Sequence, residues 1–248
     1  MSGHRVHLVV PCYNEAARFD SAAFARALAK NADFALVLVN DGSTDDTSAT
    51  LHDLARRSPE RIEVVDQPNN TGKAEAVRQG MLTAFASGAE MAGYWDADLA
   101  TPLDALDDFV SALDADADVD IVLGARVAML GHEIQRSAMR HYAGRVFATL
   151  ASVTIGLPVY DTQCGAKLFR CNAETRALFD EPFGSRWVFD VELLARYLEN
   201  GGSPSGIREQ ALARWTDIAG SKVKPSDFLG GIVELARIKR RYRRRRSG

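Results

Sequence analysis

Cysteine is scarce in this 248-residue chain: Cys12, Cys164 and Cys171 are the whole set, odd in number and far apart. Such a set fits a reducing cytoplasm better than a disulfide framework. No CxxC pair and no Cys/His cluster occurs, so a structural zinc site is excluded. No run of about eighteen apolar residues is present, and a membrane-spanning helix is not expected. The opening MSGHRVHLVVPCYNEAARF lacks the apolar core and small-residue cleavage site of a signal peptide. A GxxxxGK phosphate loop, an internal repeat and a low-complexity linker are all missing.

What is present suits a soluble globular protein: 46% hydrophobic and 25% charged residues, enough to bury one large core. The net charge of −3 hides an asymmetry. Residues 237–246, RIKRRYRRRR, carry eight basic residues and no acid, so the remainder stands at −11. A basic tail on an acidic body is a footprint for anionic lipid or nucleic acid, or else a solvated terminus. The acidic body disfavours broad nucleic-acid contact, which needs a basic face, and no nucleic-acid partner is expected.

The first half alternates strand-like and helix-like segments. Strands are predicted at 6–10, 34–40, 62–65, 93–95 and 120–125, with helices at about 21–31, 45–57, 72–87 and 103–115. That alternation predicts an α/β fold with a mainly parallel sheet. In such sheets ligands bind beyond the carboxyl ends of the strands, and each strand here ends in a polar cluster: PCYNE, NDGSTDD, DQPNNTGK, DADLATP and GAR. The second half is less regular. It predicts a long helix over 132–156, a loop entering a strand over 160–169, a helix over 186–198, an edge strand over 211–217 and an amphipathic helix from Pro225 into the basic tail. The expected organisation is one domain over 1–225 followed by that helix and tail over 226–248.

Within YWDADLATP, Asp96 and Asp98 sit two residues apart after a strand, so both carboxylates can aim at one point. Two like charges that close need a cation between them or one proton. A Mg²⁺ or Mn²⁺ ion held by one or two carboxylates plus substrate phosphates meets that need. The same acids also read as a solvated turn residue and a pre-helix acid. Asp41 heads a Gly-Ser-Thr turn, where its carboxylate suits a nucleobase N–H, ribose hydroxyls or a helix cap. Gly72 and Lys73 lie where a helix begins, as phosphate neighbours or as an ordinary first turn. Arg126 ends the fifth strand, where a guanidinium can neutralise a diphosphate.

Taken together, VVPCYNEA, LVNDGSTDDT, NNTGKAEAVRQGM, YWDADLATP, LGAR, DTQCGAKLF and RWVFDVELL occur in the order and spacing of family 2 glycosyltransferases of the GT-A fold. The DTQCGAKLF and RWVFDVELL pair, followed by WTDIAGSKV, is most similar to the dolichyl-phosphate (polyprenyl-phosphate) β-glucosyltransferase branch. The resemblance covers roughly residues 5–225. It implies that Pro11, Tyr13, Glu15, Asp41, Gly72, Lys73 and Asp96 face the nucleotide, and that Asp98, assisted by Asp96, holds the metal. It further implies that Arg126 faces the phosphates and that Arg136, Arg140, Asp161, Gln163 and Lys167 line the acceptor side. Two departures from the pattern, Ala100 after Leu99 and Ala166 between Gly165 and Lys167, bear on donor and acceptor choice.

The expected reaction is inverting transfer of a hexose, glucose before others, from a nucleotide sugar, UDP-linked before GDP-linked, to a polyprenyl phosphate. A phosphate monoester is largely a dianion at neutral pH and needs no general base, whereas a hydroxyl acceptor would need one. Asp190 is the first carboxylate for that role and Glu192 the second, unless Asp190 caps its helix. The alternatives are a glycosyltransferase acting on a lipid, glycan or small-molecule hydroxyl, a nucleotidyltransferase, and a non-catalytic nucleotide-sugar or nucleic-acid binding module. A polyprenyl phosphate lives in a membrane, and Phe228, Leu229, Ile232, Val233, Leu235 and Ile238 beside the basic run suit an interfacial helix on anionic lipid. Each basic residue near such a surface is worth about 1 kcal/mol. The expected location is the cytoplasm, peripheral at the inner face of the membrane.

Overall fold

The computed structural model describes residues 3–135, 138–218 and 225–245. The chain runs β1 (Val6–Cys12), α1 (Ser21–Lys30), β2 (Phe34–Asp41), α2 (Thr47–Ala55), β3 (Ile62–Gln67), α3 (Lys73–Ala86), β4 (Met91–Trp95), α4 (Leu106–Asp114) and β5 (Ile121–Ala125). It continues through β6 (Glu133–Gln135), α5 (Ala138–Ile155), β7 (Ala166–Arg170), α6 (Ala173–Arg176), α7 (Phe189–Glu199), β8 (Ile207–Ala211), β9 (Arg214–Thr216) and α8 (Pro225–Arg245).

Seven strands form one sheet in the order β3-β2-β1-β4-β7-β5-β8. Every pairing in it is parallel except those of β7, which runs antiparallel to both β4 and β5. Helices cover both faces, so β2, β4 and β5 are buried along their whole length and read as continuous apolar runs. On one face Leu8 and Val10 meet Phe24, Leu51 and Phe109 of α1, α2 and α4. On the other face Val9 and Val39 join a core built from α3, α5, α7 and α8.

The α/β architecture and the five predicted strands of the first half are present. Two expectations for the second half are corrected. The helix predicted over 132–156 begins at Ala138, because Glu133–Gln135 pairs in parallel with Arg214–Thr216 as a separate two-stranded sheet. The edge strand predicted over 211–217 is two strands, and β8 extends the main sheet beside β5. Its sequence, IREQA, lacks the apolar run that marks a buried strand, because an edge position needs only one covered side. Helix α8 packs on α5 and α7. Its Leu235, Ile238 and Tyr242 are buried at 3%, 5% and 7% exposure and belong to the core.

Candidate active site

The carboxyl ends of β1, β2 and β4 and the start of α3 converge on Asp96 and Asp98. Asp96 follows β4 directly, and its carboxylate receives the Lys73 ammonium. Gly165 presses on the other side: a Cβ at that position would overlap the Asp96 carboxylate. Its backbone carbonyl also accepts the Asp96 N–H at 3.1 Å. Glycine at 165 therefore sets how closely the loop before β7 approaches this acid. Leu99, next to Asp98, adopts a left-handed backbone with φ of 54°. A branched residue there stores roughly 1–2 kcal/mol of strain, the kind of cost that collects at functional sites.

The charges around the pair are unequal. Burial and the Asp96 charge push the Asp98 carboxyl above the usual range, with Arg18 and Lys73 pulling against them. Burial disfavours the Lys73 charge, yet Asp96 and Asp190 hold its pKa above the ordinary value. Arg18 is bound to Glu15, which raises its pKa, and it also feels both acids of the pair. Arg18 was not picked out from the sequence, although its place three residues after Glu15 is the available signal.

Asp41 is buried, and both of its oxygens are engaged. One accepts from the Thr71 N–H at 2.8 Å and the Thr71 hydroxyl at 3.0 Å. The other accepts from Gly72 N–H and Asn70 Nδ2, each at 2.9 Å. Asp41 thereby fastens the 70–72 loop that delivers Lys73. Gly72 has φ of 96°, and a Cβ there would lie 2.9 Å from Nε of Arg186. Arg186 thus reaches the start of α3, a second cation that sequence reasoning did not single out. Glu15 is buried and paired with Arg18, while Pro11 and Tyr13 are part-buried at the end of β1.

Arg126 and Asp161 form a bidentate pair at 2.6 and 2.8 Å, and the guanidinium also lies 5.2 Å from the centre of the Trp215 ring. Burial opposes ionisation of both partners. Their mutual attraction outweighs it, so the Asp161 carboxyl lies below the usual range and the Arg126 pKa above its own. Glu209, on the strand that the sequence did not reveal, accepts the backbone N–H groups of Tyr160 and Asp161 and fixes this loop. Gln163 lies in the same loop, and its Nε2 is buried without a hydrogen-bond partner among the described residues.

Lys167 and Asp190 are sequestered from water. Lys167 donates to Asp190 at 2.6 Å and to the Cys164 carbonyl at 2.6 Å, and Tyr94 donates its hydroxyl to the same carboxylate oxygen at 2.5 Å. Asp190 does not cap α7: the cap position is Val188, and the carboxylate turns to the sheet. Glu192 is likewise committed, accepting from Gly184 N–H, Arg196 and Tyr242. Of the acceptor-side arginines, Arg136 and the side chain of Arg140 lie outside the described residues.

Across residues 7–176 the sequence matches the family model described as "Glycosyl transferase family 2". The chain belongs to that family. This glycosyltransferase is 36% identical over 233 residues to a dolichyl-phosphate beta-glucosyltransferase of Drosophila melanogaster, covering 88% of this chain and 69% of the relative. A protein of the same name from Trichomonas vaginalis is 32% identical over 246 residues, covering 93% and 69%. In fold the glycosyltransferase resembles glucosyl-3-phosphoglycerate synthase of Mycobacterium tuberculosis, solved with Mn²⁺, UDP-glucose and glycerol 3-phosphate. That similarity has a TM-score of 0.64 at 20% identity and covers 95% of this chain and 79% of the other. The GT-A architecture expected from the motifs is therefore present.

The donor set also suits a divalent cation. Asp96 and Asp98 are carboxylates close enough for one to raise the other's pKa, a repulsion that a Mg²⁺ or Mn²⁺ ion relieves. No group of three or more His, Cys, Asp or Glu side chains gathers among the described residues. The protein would therefore supply these two ligands, and substrate oxygens and water the remainder.

Proposed function

We propose that the glycosyltransferase moves glucose from UDP-glucose to a polyprenyl phosphate with inversion at the anomeric carbon. The reading is carried by the Asp96–Asp98 pair with Lys73 against it, set in a chain similar over nearly its whole length to proteins named dolichyl-phosphate beta-glucosyltransferase. Pro11, Tyr13, Glu15 and the Asp41-anchored loop form the nucleotide side. Lys73 and Arg186, at the start of α3, face the diphosphate together with the N-terminal end of that helix. Asp98, with Asp96, would hold the metal ion, which supplies positive charge for the departing nucleoside diphosphate.

The acceptor phosphate arrives as an oxygen nucleophile that is already deprotonated, so the chain's task is to position it. Arg126, Arg136, Arg140, Asp161 and Gln163 form the acceptor side in this reading; Lys167, expected there too, is fully buried against Asp190 and braces the structure from within. The engagement of Asp190 by Lys167 and Tyr94 favours a phosphate over a hydroxyl acceptor, because that carboxylate is not free to take a proton. Attack opposite the leaving diphosphate forms the new C1–oxygen bond as the old one breaks and releases UDP. The basic end of α8 would hold the protein at an anionic membrane surface.

A donor screen with purified protein, Mn²⁺ or Mg²⁺ and polyprenyl phosphate tests the reaction. A product of mass equal to the lipid phosphate plus one hexose, β-linked by NMR, is expected with UDP-glucose. An α-linked product overturns the inverting mechanism, and transfer to a hydroxyl but not to the lipid phosphate overturns the acceptor.

A further inference from the structure

Helix α8 buries only part of the apolar face expected of it: Leu235 and Ile238 are buried, whereas Ile232 and Val233 are exposed. Gly231, Leu235, Ile238 and Tyr242 follow helical spacing and are buried, turned toward the domain rather than outward. The adjoining helix behaves in the opposite way. On α5, Phe147, Ala148, Ala151 and Ile155 face the core, while Tyr142, Val146, Leu150 and Val153 stand at 71%, 54%, 38% and 64% exposure. Those four positions follow i, i+4, i+8 and i+11, a single stripe along the outside of the helix.

Described polar side chains of this helix are engaged by backbone carbonyls. Thr149 and Thr154 donate their hydroxyls to the carbonyls of Arg145 and Leu150, four residues back, at 2.9 and 2.7 Å. Arg145 donates to the Tyr160 carbonyl and stacks on the Tyr160 ring, 3.7 Å from its centre. An ordinary solvated helix face carries charged side chains, and an apolar stripe of this size on a soluble domain marks a contact surface.

Two neighbouring features extend the surface and give it a charge. Val233 and Ile232, exposed at 52% and 37%, lie at the start of α8, next to Gly231, which packs against Phe147 of α5. Farther along α8, Arg237, Lys239, Arg240 and Arg241 are exposed, and of these only Arg241 has an acidic partner among the described residues. Met129 and fully exposed Leu130 follow Arg126 of the site by three and four residues and add exposed apolar surface. An apolar stripe bordered by cations matches the acyl boundary and anionic headgroups of a bilayer surface. A water-soluble partner would leave the cations uncompensated or need acids of its own.

We propose that the outer stripe of α5, together with Leu130 and Val233, is the lipid-contacting surface, and that α8 contributes cations rather than its main apolar face. The occupant is an anionic bilayer. This surface rests on the reading that the acceptor is a membrane lipid phosphate, since it would present the Arg126 side of the site to the headgroup layer.

The test is flotation of the full chain with vesicles of phosphatidylcholine alone or with about one third phosphatidylglycerol, free of acceptor and donor. The wild type is expected to partition onto the anionic vesicles, and Val146→Glu/Leu150→Glu/Val153→Glu to lose at least tenfold of that partition. These positions are exposed, so circular dichroism and thermal melting should match the wild type. Val146→Ser/Leu150→Ser/Val153→Ser, which adds no charge, should lose binding in the same direction. Turnover of a short-chain acceptor in detergent should be unchanged in both variants, while turnover of a long-chain acceptor in vesicles falls.

Undiminished vesicle binding by the folded variants overturns the proposal, as does a wild type that never floats. A wild-type dimer by light scattering that these substitutions dissociate assigns the stripe to a second copy and also overturns it. If the wild type binds vesicles through α5 but transfers no glucose to polyprenyl phosphate, the surface stands and the proposed reaction fails.

Discussion

The Lys167 ammonium lies 2.6 Å from the Asp190 carboxylate, with Lys167 at zero exposure and Asp190 at 5%. The pair joins β7 to α7, and Tyr94 of β4 closes it with a third hydrogen bond. A carboxylate held this way acts as a strut. Removing one partner of a buried ion pair strands the other charge in a low-dielectric interior and costs about 3–5 kcal/mol. Asp190→Asn is therefore expected to lower stability in that range by denaturant titration. Lys167→Met/Asp190→Leu should recover much of the loss. A double variant whose destabilisation equals the sum of the losses in the two single variants would show that the pair is not coupled.

Asp98 should behave differently. Its carboxyl pKa is raised by burial and by the charge of Asp96, so neutralising it relieves both in the free protein. Asp98→Asn is expected to keep or slightly raise the melting temperature while reducing turnover by about a hundredfold or more, the scale for losing a principal electrostatic stabiliser. Retained turnover would remove the metal assignment.

Gly165→Ala adds one methyl group against the Asp96 carboxylate. The acid must turn away, its contact with Lys73 must break, or the loop before β7 must retreat. Turnover is expected to fall at least tenfold with the donor KM raised. The fold should remain intact by circular dichroism, because the strain falls in a loop beside a half-exposed side chain. Unchanged kinetics would show that Asp96 needs no fixed orientation.

His7 lies inside β1 at zero exposure, and neither ring nitrogen has a hydrogen-bond partner among the described residues. Burial lowers its pKa to about 4 from 6.5. Between those values the unfolded chain binds a proton that the native state refuses, so stability rises with pH across that window. As the pH falls from 6.5 toward 4 this one group should withdraw roughly 3 kcal/mol, the loss levelling off below pH 4. His7→Leu is expected to flatten that part of the stability profile. A profile of unchanged slope would mean that the ring is protonated in the native state.

The strand-end clusters were legible because a doubly covered parallel sheet demands continuous apolar runs, and the polar residues after each run can only lie at its edge. FALVLVND shows this in full: every residue is buried and the run stops at Asp41. The Asp96–Asp98 spacing and the glycine before Lys73 were legible for the same local reason. Arg186 was not, since nothing in its spacing tells which way a long side chain turns, and Arg18 offered only its place three residues after Glu15. Strand β8 was missed because IREQA is an edge strand, and β6 because a three-residue pairing leaves no periodic signal.

By itself, then, the sequence determined the α/β order and pointed to the sheet edge and the acids of the candidate site, all consequences of periods within one segment. The partners were decided only by tertiary structure. Asp190 and Lys167 are 23 residues apart and Arg126 and Asp161 are 35 apart, and in both cases the packed domain brings them together and excludes the water that would weaken the pairing. The same holds for the two outer helices. Both carry apolar residues at helical spacing, and the choice of α8 to bury its stripe while α5 exposes one depends on which face finds a partner in the packed domain.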